Sequence, residues 1–302
     1  MPSPAPFLLR WFAYLAFAGS VAAADVFFKP GDVVAFAGGE DLTALAEQGH
    51  LECLLLRAFP ELRLTFRNLA HEGDTVFQQQ RDLNYPPVEQ QLDQVGATVV
   101  IAQFGLMESL AGNSKLTEFS SALEGLLDRL SANGKRRVVL LGPGPISPTS
   151  PAQTRFQALE LYVTAVRRAA QRRELRCLFP GDSGGALAAH YRDGVHLNEF
   201  GLTLLARQTA QMLGGSRVTA IITGRDDVRL TELVRQKNQL WVHYDRPQNW
   251  AFLNGDRTVQ PSSRDHRDPS IRWFPEEMKQ WLPLIEAQER EIWQLAARQG
   301  TK

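Results

Sequence analysis

Apolar and polar positions in this chain come in blocks rather than residue by residue. Five short runs, "VVAFAG" (33–38), "LRLTFRN" (62–68), "TVVIAQF" (98–104), "RVVLLGP" (137–143) and "LRCLF" (175–179), are rich in Val, Leu, Ile and Phe. They show little period-two alternation, the mark of strands buried on both faces. Amphipathic stretches of helical length lie at 43–57, 87–95, 117–132, 153–173 and 199–213. Strand and helix in turn predict a parallel, doubly wound sheet with helices on both faces.

The pattern changes after Gly214-Gly215. "DDVRLTELVRQKNQLWVHYDRPQN" predicts a helix that ends before Pro247, and a polar, proline-containing loop follows. A second helix is predicted over "PEEMKQWLPLIEAQEREIWQLAAR", with Pro275 at a first helical position and acidic residues in the first turn. Residues 216–302 therefore read as a mainly helical C-terminal extension packed on the main α/β domain, 25–215. Residues 1–24 read differently again. Arg10 precedes the apolar run "WFAYLAFAGSVAAA", and Ala22 and Ala24 form a small-residue cleavage pattern. That is the form of a secretory signal peptide, and it predicts an exported, periplasmic or extracellular protein. No later segment reaches the roughly 18 apolar residues of a membrane span, so no membrane contact is expected after cleavage.

Composition narrows the picture. Lys+Arg and Asp+Glu both number 33, so the net charge is zero and no basic surplus points to nucleic acid. An apolar content of 44% is enough for a real core. An exported chain permits a disulfide, but Cys53 and Cys177 both sit in apolar runs and read as two buried free thiols. No cluster of Cys and His has metal-ligand spacing, and neither a metal nor a cofactor is expected.

One stretch suggests chemistry at first sight. "FPGDSGGALAAHYRDGVHLNEFG" (179–201) contains Gly-Asp-Ser-Gly-Gly and a nearby histidine, as if Ser183 and His190 were a protease pair. A trypsin-like serine has its histidine far upstream on a β-barrel, whereas His190 lies downstream of Ser183 in a chain that reads α/β. Residues 181–185 are better explained as the turn after the fifth strand. In an open parallel sheet, ligands bind beyond the carboxyl ends of the strands. The segments at that edge are "GGEDLT" (38–43), "NLAHEGDTV" (68–76), "GLMESLAG" (105–112), "PGPIS" (143–147) and the region of Asp193 and His196.

Their order and spacing resemble the SGNH/GDSL hydrolases, a family of esterases and lipases. "NLAHEGDTV", "GLMES" and "DGVHLNEFG" match three of the family's four blocks, and "KNQLWVHYDRPQNWAFLNGDR" resembles an extension carried by an exported bacterial branch. The resemblance implies a flavodoxin-like three-layer α/β/α fold with a five-stranded parallel sheet. It also implies hydrolysis of ester bonds, with an acyl or acetyl group on carbohydrate as the leading substrate class. The expected partner is a small-molecule or glycan ester.

Two family positions are changed. "FAGGED" overlays the block that carries the nucleophilic serine and puts Glu40 in its place; a register shifted by one residue puts Asp41 there. Met107 stands where the family has an asparagine that donates to the oxyanion. Asp193 and His196 remain, as do Gly73, whose backbone N–H is the other implied oxyanion donor, Asn68 and Glu108. Glu108 takes the position of an acidic residue that shapes its loop. Three readings follow. Glu40 or Asp41 activates water or attacks directly; Ser109 approaches the site as a substitute; or the chain is a catalytically inactive module of the same descent that binds a glycan or a partner. Plainer roles compete: Glu40 and Asp41 as helix N-terminal charges, His196 with Asp193 as a cap pair, His71 and Glu72 as a solvated loop, and Trp241, His243, Tyr244 and Trp250 as anchors of the extension rather than a sugar-stacking platform. The preferred register predicts a Glu40 or Asp41 carboxylate within direct or one-water reach of His196.

Overall fold

The computed structural model describes residues 27–79, 84–182, 186–187, 189–222 and 227–299. The signal peptide expected at 1–24 and Ser183 lie outside them. In chain order the elements are β1 (Val33–Gly38), α1 (Glu40–Gln48), α2 (His50–Ala58), β2 (Thr65–Asn68), α3 (Val88–Gln94), β3 (Val99–Gln103), α4 (Leu116–Ser131), β4 (Arg137–Leu141), α5 (Leu159–Arg172), β5 (Arg176–Leu178), α6 (Glu199–Ile222), α7 (Val228–Asp245), α8 (Trp273–Met278) and α9 (Trp281–Gln299). The five strands form one sheet in the order β2-β1-β3-β4-β5, and every pairing is parallel. This is the predicted three-layer α/β/α fold with a helical C-terminal region.

The central strands β1, β3 and β4 lack polar–apolar alternation because both faces are covered, whereas the edge strand β2 alternates between half-buried and buried residues. Val34 and Phe36 of β1, Val99 and Ile101 of β3, and Val139 and Leu141 of β4 pack into one apolar cluster with α1, α2 and α6. Their neighbours Ala35, Ala37, Val100, Ala102, Val138 and Leu140 face α3, α4 and α5. Leu230 and Val234 of α7 and Ile292 and Ala296 of α9 join the first cluster, so the C-terminal helices share a core with the sheet.

Several boundaries differ from those predicted. The strand expected at 62–68 begins only at Thr65, after a 3₁₀ turn at Pro60–Leu62. The helix expected over 275–298 is two helices, α8 ending at Met278 and α9 beginning at Trp281, and Pro275 is the third residue of α8 rather than the first. The single helix expected at 43–57 is two helices, broken at Gly49 with φ +71. A Cβ at Gly49 would lie 2.7 Å from the side chain of Val234, so the approach of α7 also requires glycine there. The helix expected at 153–173 begins only at Leu159, after a short 3₁₀ turn. The helix expected at 199–213 runs on to Ile222 through a non-helical Gly215, so α6 itself carries the chain past residue 215. Cys53 is buried and Cys177 half-buried, and both are free thiols. Among the described residues no helix is long and apolar enough to cross a membrane.

Candidate active site

The site is built where β1 ends. Gly38 takes φ +114, and a Cβ on it would stand 2.0 Å from the backbone oxygen of Gln103 in β3. The Gly39 N–H donates to that same oxygen at 3.0 Å. Only glycine allows β1 to turn this tightly against its neighbour. The turn places Glu40 and Asp41 at the start of α1, where partial positive charge on unpaired N–H groups favours carboxylates. The N-cap is Gly39, which has no side chain to cap the helix.

The two carboxylates part company. Asp41 is buried and accepts from Gln103 Nε2 at 2.9 Å. Burial pushes its carboxyl up to about 6, against the hydrogen bond from Gln103. Glu40 points the other way, about one-third exposed, with Oε2 2.9 Å from Nε2 of His196.

His196 arrives on a loop that the chain folds back on itself. Tyr191 and Leu197 form an isolated antiparallel bridge, and the Arg192 N–H donates to the His196 carbonyl at 2.8 Å. Asp193 closes the turn by accepting from the N–H groups of Val195 at 3.0 Å and His196 at 2.8 Å. Its other oxygen lies 2.5 Å from His196 Nδ1. Gly194, at φ +91, is pressed against Ser150, whose Oγ would be 2.1 Å from any Cβ. The Asp193 turn is thus both a local cap and the mount that aims the imidazole.

One imidazole therefore sits between two carboxylates, and with an acceptor at each ring nitrogen the doubly protonated ring satisfies both. Partial burial works against the charged ring, but the hydrogen bond it donates to Asp193 and the charge of Glu40 outweigh it and hold His196 above its ordinary value. Burial likewise opposes ionisation of Asp193, yet hydrogen bonds from the His196 backbone and ring keep it well below the usual carboxylate range. Glu40 is raised, first by burial; His196 counters this and the nearby charge of Glu72 adds to it.

Glu72 belongs to the turn that follows β2. The His71 N–H donates to the Gly38 carbonyl at 3.0 Å, which docks this turn on the end of β1. Gly73 is exposed at φ +81, with open space where a Cβ would be. Glu108 is buried and ties this loop to the next, accepting from Val76 N–H at 2.7 Å and Gly105 N–H at 2.8 Å.

The model of the GDSL-like lipase/acylhydrolase family matches residues 33–204, more than half of the chain. The chain belongs to that family. Among solved structures, it is similar to a gut microbial diltiazem-metabolizing enzyme at 17% identity and a TM-score of 0.51, over 62% of this chain and 48% of that one. The match thus spans about half of that enzyme's length. A GDSL-like lipase from Parabacteroides merdae is similar at 15% identity and a TM-score of 0.51, over 63% of this chain and 98% of that one. At such identities the likeness shows the fold. A search of curated proteins found no match.

Within the family frame, the structure brings Glu40, His196 and Asp193 together. The other candidates are placed elsewhere or used otherwise. Asp41 is held by Gln103 and acts on His196 and Glu40 through charge rather than by direct contact. Met107 is an exposed side chain with no polar group to donate. Asn68 is buried, and its Oδ1 accepts from the N–H of Ala70 at 3.0 Å, which closes the turn after β2. Glu108 is a loop staple. Ser109 does not replace the missing nucleophile: it is buried and its hydroxyl donates to the Leu106 carbonyl at 2.6 Å. His190 packs its ring on Phe200, 4.5 Å between centroids. Trp241 anchors the extension by donating through Nε1 to the Asn68 carbonyl at 2.9 Å, while its 5.3 Å contact with Tyr244 and the 5.2 Å stacking of His243 on Trp281 lie within the extension.

Sequence reasoning missed Gln103. Its one signal was a polar residue ending the apolar run "TVVIAQF" at the functional edge of the sheet. Buried there, it holds Asp41 and also donates to the Gly142 carbonyl at 3.3 Å.

Proposed function

We propose that this protein is an exported hydrolase of ester bonds in which the Glu40–His196 pair replaces the serine–histidine pair. The observation that carries the reading is the 2.9 Å contact between Glu40 and His196, with Asp193 on the other ring nitrogen. In the proposed reaction Glu40 takes a proton from water, and the water oxygen bonds to the acyl carbon. His196 Nε2 gives its proton to the departing alkoxide as the ester C–O bond breaks. The proton on Glu40 then passes to Nε2, which restores the ion pair. Gly73 N–H is the proposed donor to the oxyanion, and Met107 leaves that position one donor short. Loss of such a donor typically costs about 10²–10³ in rate, so turnover is expected to be slow. The proposed substrates are acyl or acetyl esters of carbohydrate, a choice that rests on the family's ester chemistry and on the expected export.

The test is hydrolysis of p-nitrophenyl acetate and sugar acetates by the purified protein, its Glu40→Gln variant and its His196→Ala variant. Turnover lost in both supports the reading; turnover unchanged in His196→Ala removes the pair from the chemistry. The exposed Met107 in a donor's place favours a second reading, a silent glycan- or partner-binding module. No turnover of any ester, with saturable binding of an acetylated oligosaccharide, would establish that one instead.

A further inference from the structure

β2 is an edge strand. Its odd-numbered residues face β1, with Thr65 N–H on the Asp32 carbonyl and Leu69 N–H on the Phe36 carbonyl, each at 3.0 Å. The carbonyls of residues 64, 66, 68 and 70 therefore point away from the sheet, where an edge normally offers them to water or to another strand. Here each meets a side-chain donor from the C-terminal helices. Trp293 Nε1 of α9 donates to Leu64 O at 2.9 Å. Lys237 Nζ of α7 donates to Phe66 O at 3.4 Å. Trp241 Nε1 donates to Asn68 O at 2.9 Å, and Arg246, at the end of α7, donates through Nη2 to Ala70 O. A helix pair supplies, through side chains at strand spacing, what a sixth strand would supply through its backbone.

The rungs are firmly mounted. Lys237 is fully buried and paired with Glu52 at 2.8 Å. Trp241 is buried, with the Arg67 guanidinium 4.9 Å from its ring centroid, and Arg67 is itself paired with Glu289 of α9 at 2.5 Å. The last rung bears on the site. Ala70 is one residue from His71, whose N–H is bound to the Gly38 carbonyl, and three from Gly73. The segment from Asn68 to Gly73 is thus held on one side by β1 and on the other by the extension.

We propose that Arg246 and Trp241 are positioning residues of the hydrolase: through the Ala70 and Asn68 carbonyls they set where Glu72 and the Gly73 N–H stand beside Glu40 and His196. The C-terminal extension is then part of the machinery of the site, although no residue of it is placed in the chemistry. The inference rests on the reading of Glu40 and His196 as the reacting pair, but its test need not. Trp293 is the control, because it makes the same kind of bond at the far end of the ladder.

In ester assays, Arg246→Ala should lower kcat by about tenfold and leave KM within about twofold, as expected for a misplaced donor. Arg246→Lys, which restores a cationic donor, should recover much of that loss. Trp293→Phe should lower the melting temperature without lowering kcat. In NMR spectra, Arg246→Ala should move the Gly73 amide signal and the His196 titration, and Trp293→Phe should move neither. If the wild-type protein hydrolyses no ester, the proposed function fails and the NMR comparison alone decides this inference. If Arg246→Ala does not fold, Arg246→Gln carries the same measurements. Unmoved Gly73 and His196 signals in a folded Arg246 variant would overturn the proposal, as would an equal fall in kcat for Trp293→Phe.

Discussion

Strand β1 has a carboxylate at each end, and the fold treats the two in opposite ways. Asp32, just before the strand, is buried and saturated: Lys29 N–H at 2.6 Å, the Thr98 hydroxyl at 2.8 Å and the Arg137 guanidinium at 2.5 Å all reach it. Glu40, just after the strand, is part-exposed and shares one imidazole with a second carboxylate, while Glu72 adds further negative charge. At the amino end of a parallel sheet the loops can close over a charge and match it completely. At the carboxyl end they leave room for a ligand, and a charge there stays short of partners. One end holds the sheet; the other keeps the capacity to exchange a proton.

The contrast can be broken by exchanging a rate measurement for a stability measurement. The largest effect is expected for His196→Ala: ester turnover should fall by about 10²–10⁴, while stability to urea should fall by no more than about 1 kcal/mol, the range of part-exposed ion pairs. Asp32→Ala should do the reverse. Removing one partner of a buried ion pair costs roughly 3 kcal/mol, read by urea unfolding, and the protein that remains folded should keep its kcat. A large rate loss in Asp32→Ala without a stability loss would end the distinction between the two ends.

The pH dependence should be smaller and of definite sign. His196 is held above its ordinary value of 6.5, so its contribution to stability is complete below 6.5 and is lost as pH rises through the raised value. Asp193 is held below its ordinary value of 3.8, so its contribution is complete above 3.8 and is lost as pH falls. The two overlap between 3.8 and 6.5, and activity that needs a protonated His196 should fall on the alkaline side. Glu40→Gln should lower the His196 value seen by NMR titration, since the charge of Glu40 is one of the groups that raise it. A His196 titration that does not move in Glu40→Gln would remove the coupling.

The smallest expected effect is a gain. Glu40→Ser combined with Met107→Asn returns a nucleophile and an oxyanion donor to the family's positions, and a weak esterase activity should appear that is abolished by adding His196→Ala. Its persistence in the triple variant would show that the "GGED" turn is not the family's nucleophile position.

Much of the sheet was legible along the chain because its signals are local. A strand covered on both faces must be apolar throughout, so unbroken apolar runs mark β1 and β4, and Gly38 marks the tight turn. The break at Gly49 had a local signal, a glycine able to cap a helix in the left-handed region, whereas the close approach of Val234, 185 residues away, had none. The site was half legible. "DGVH" sets Asp193 and His196 in one local turn, and the ring is bound by its own neighbour. The choice between Glu40 and Asp41 could not be read, because adjacent residues at a helix start point in different directions and the decision falls to Gln103 on β3.

By itself, then, the order of residues determined the layers of this protein, the edge where its candidate site lies and the absence of a serine from the "GGED" turn after β1. Those follow from period, burial and glycine conformation, which act over a few residues. Only the tertiary structure decided which carboxylate meets the imidazole, that Asn68, Glu108 and Ser109 serve their own loops, and that four donors from α7 and α9 close the edge of β2. The Glu40–His196 contact and the four donors to β2 join residues more than a hundred positions apart. Their geometry is set by how whole elements pack, which no local pattern encodes.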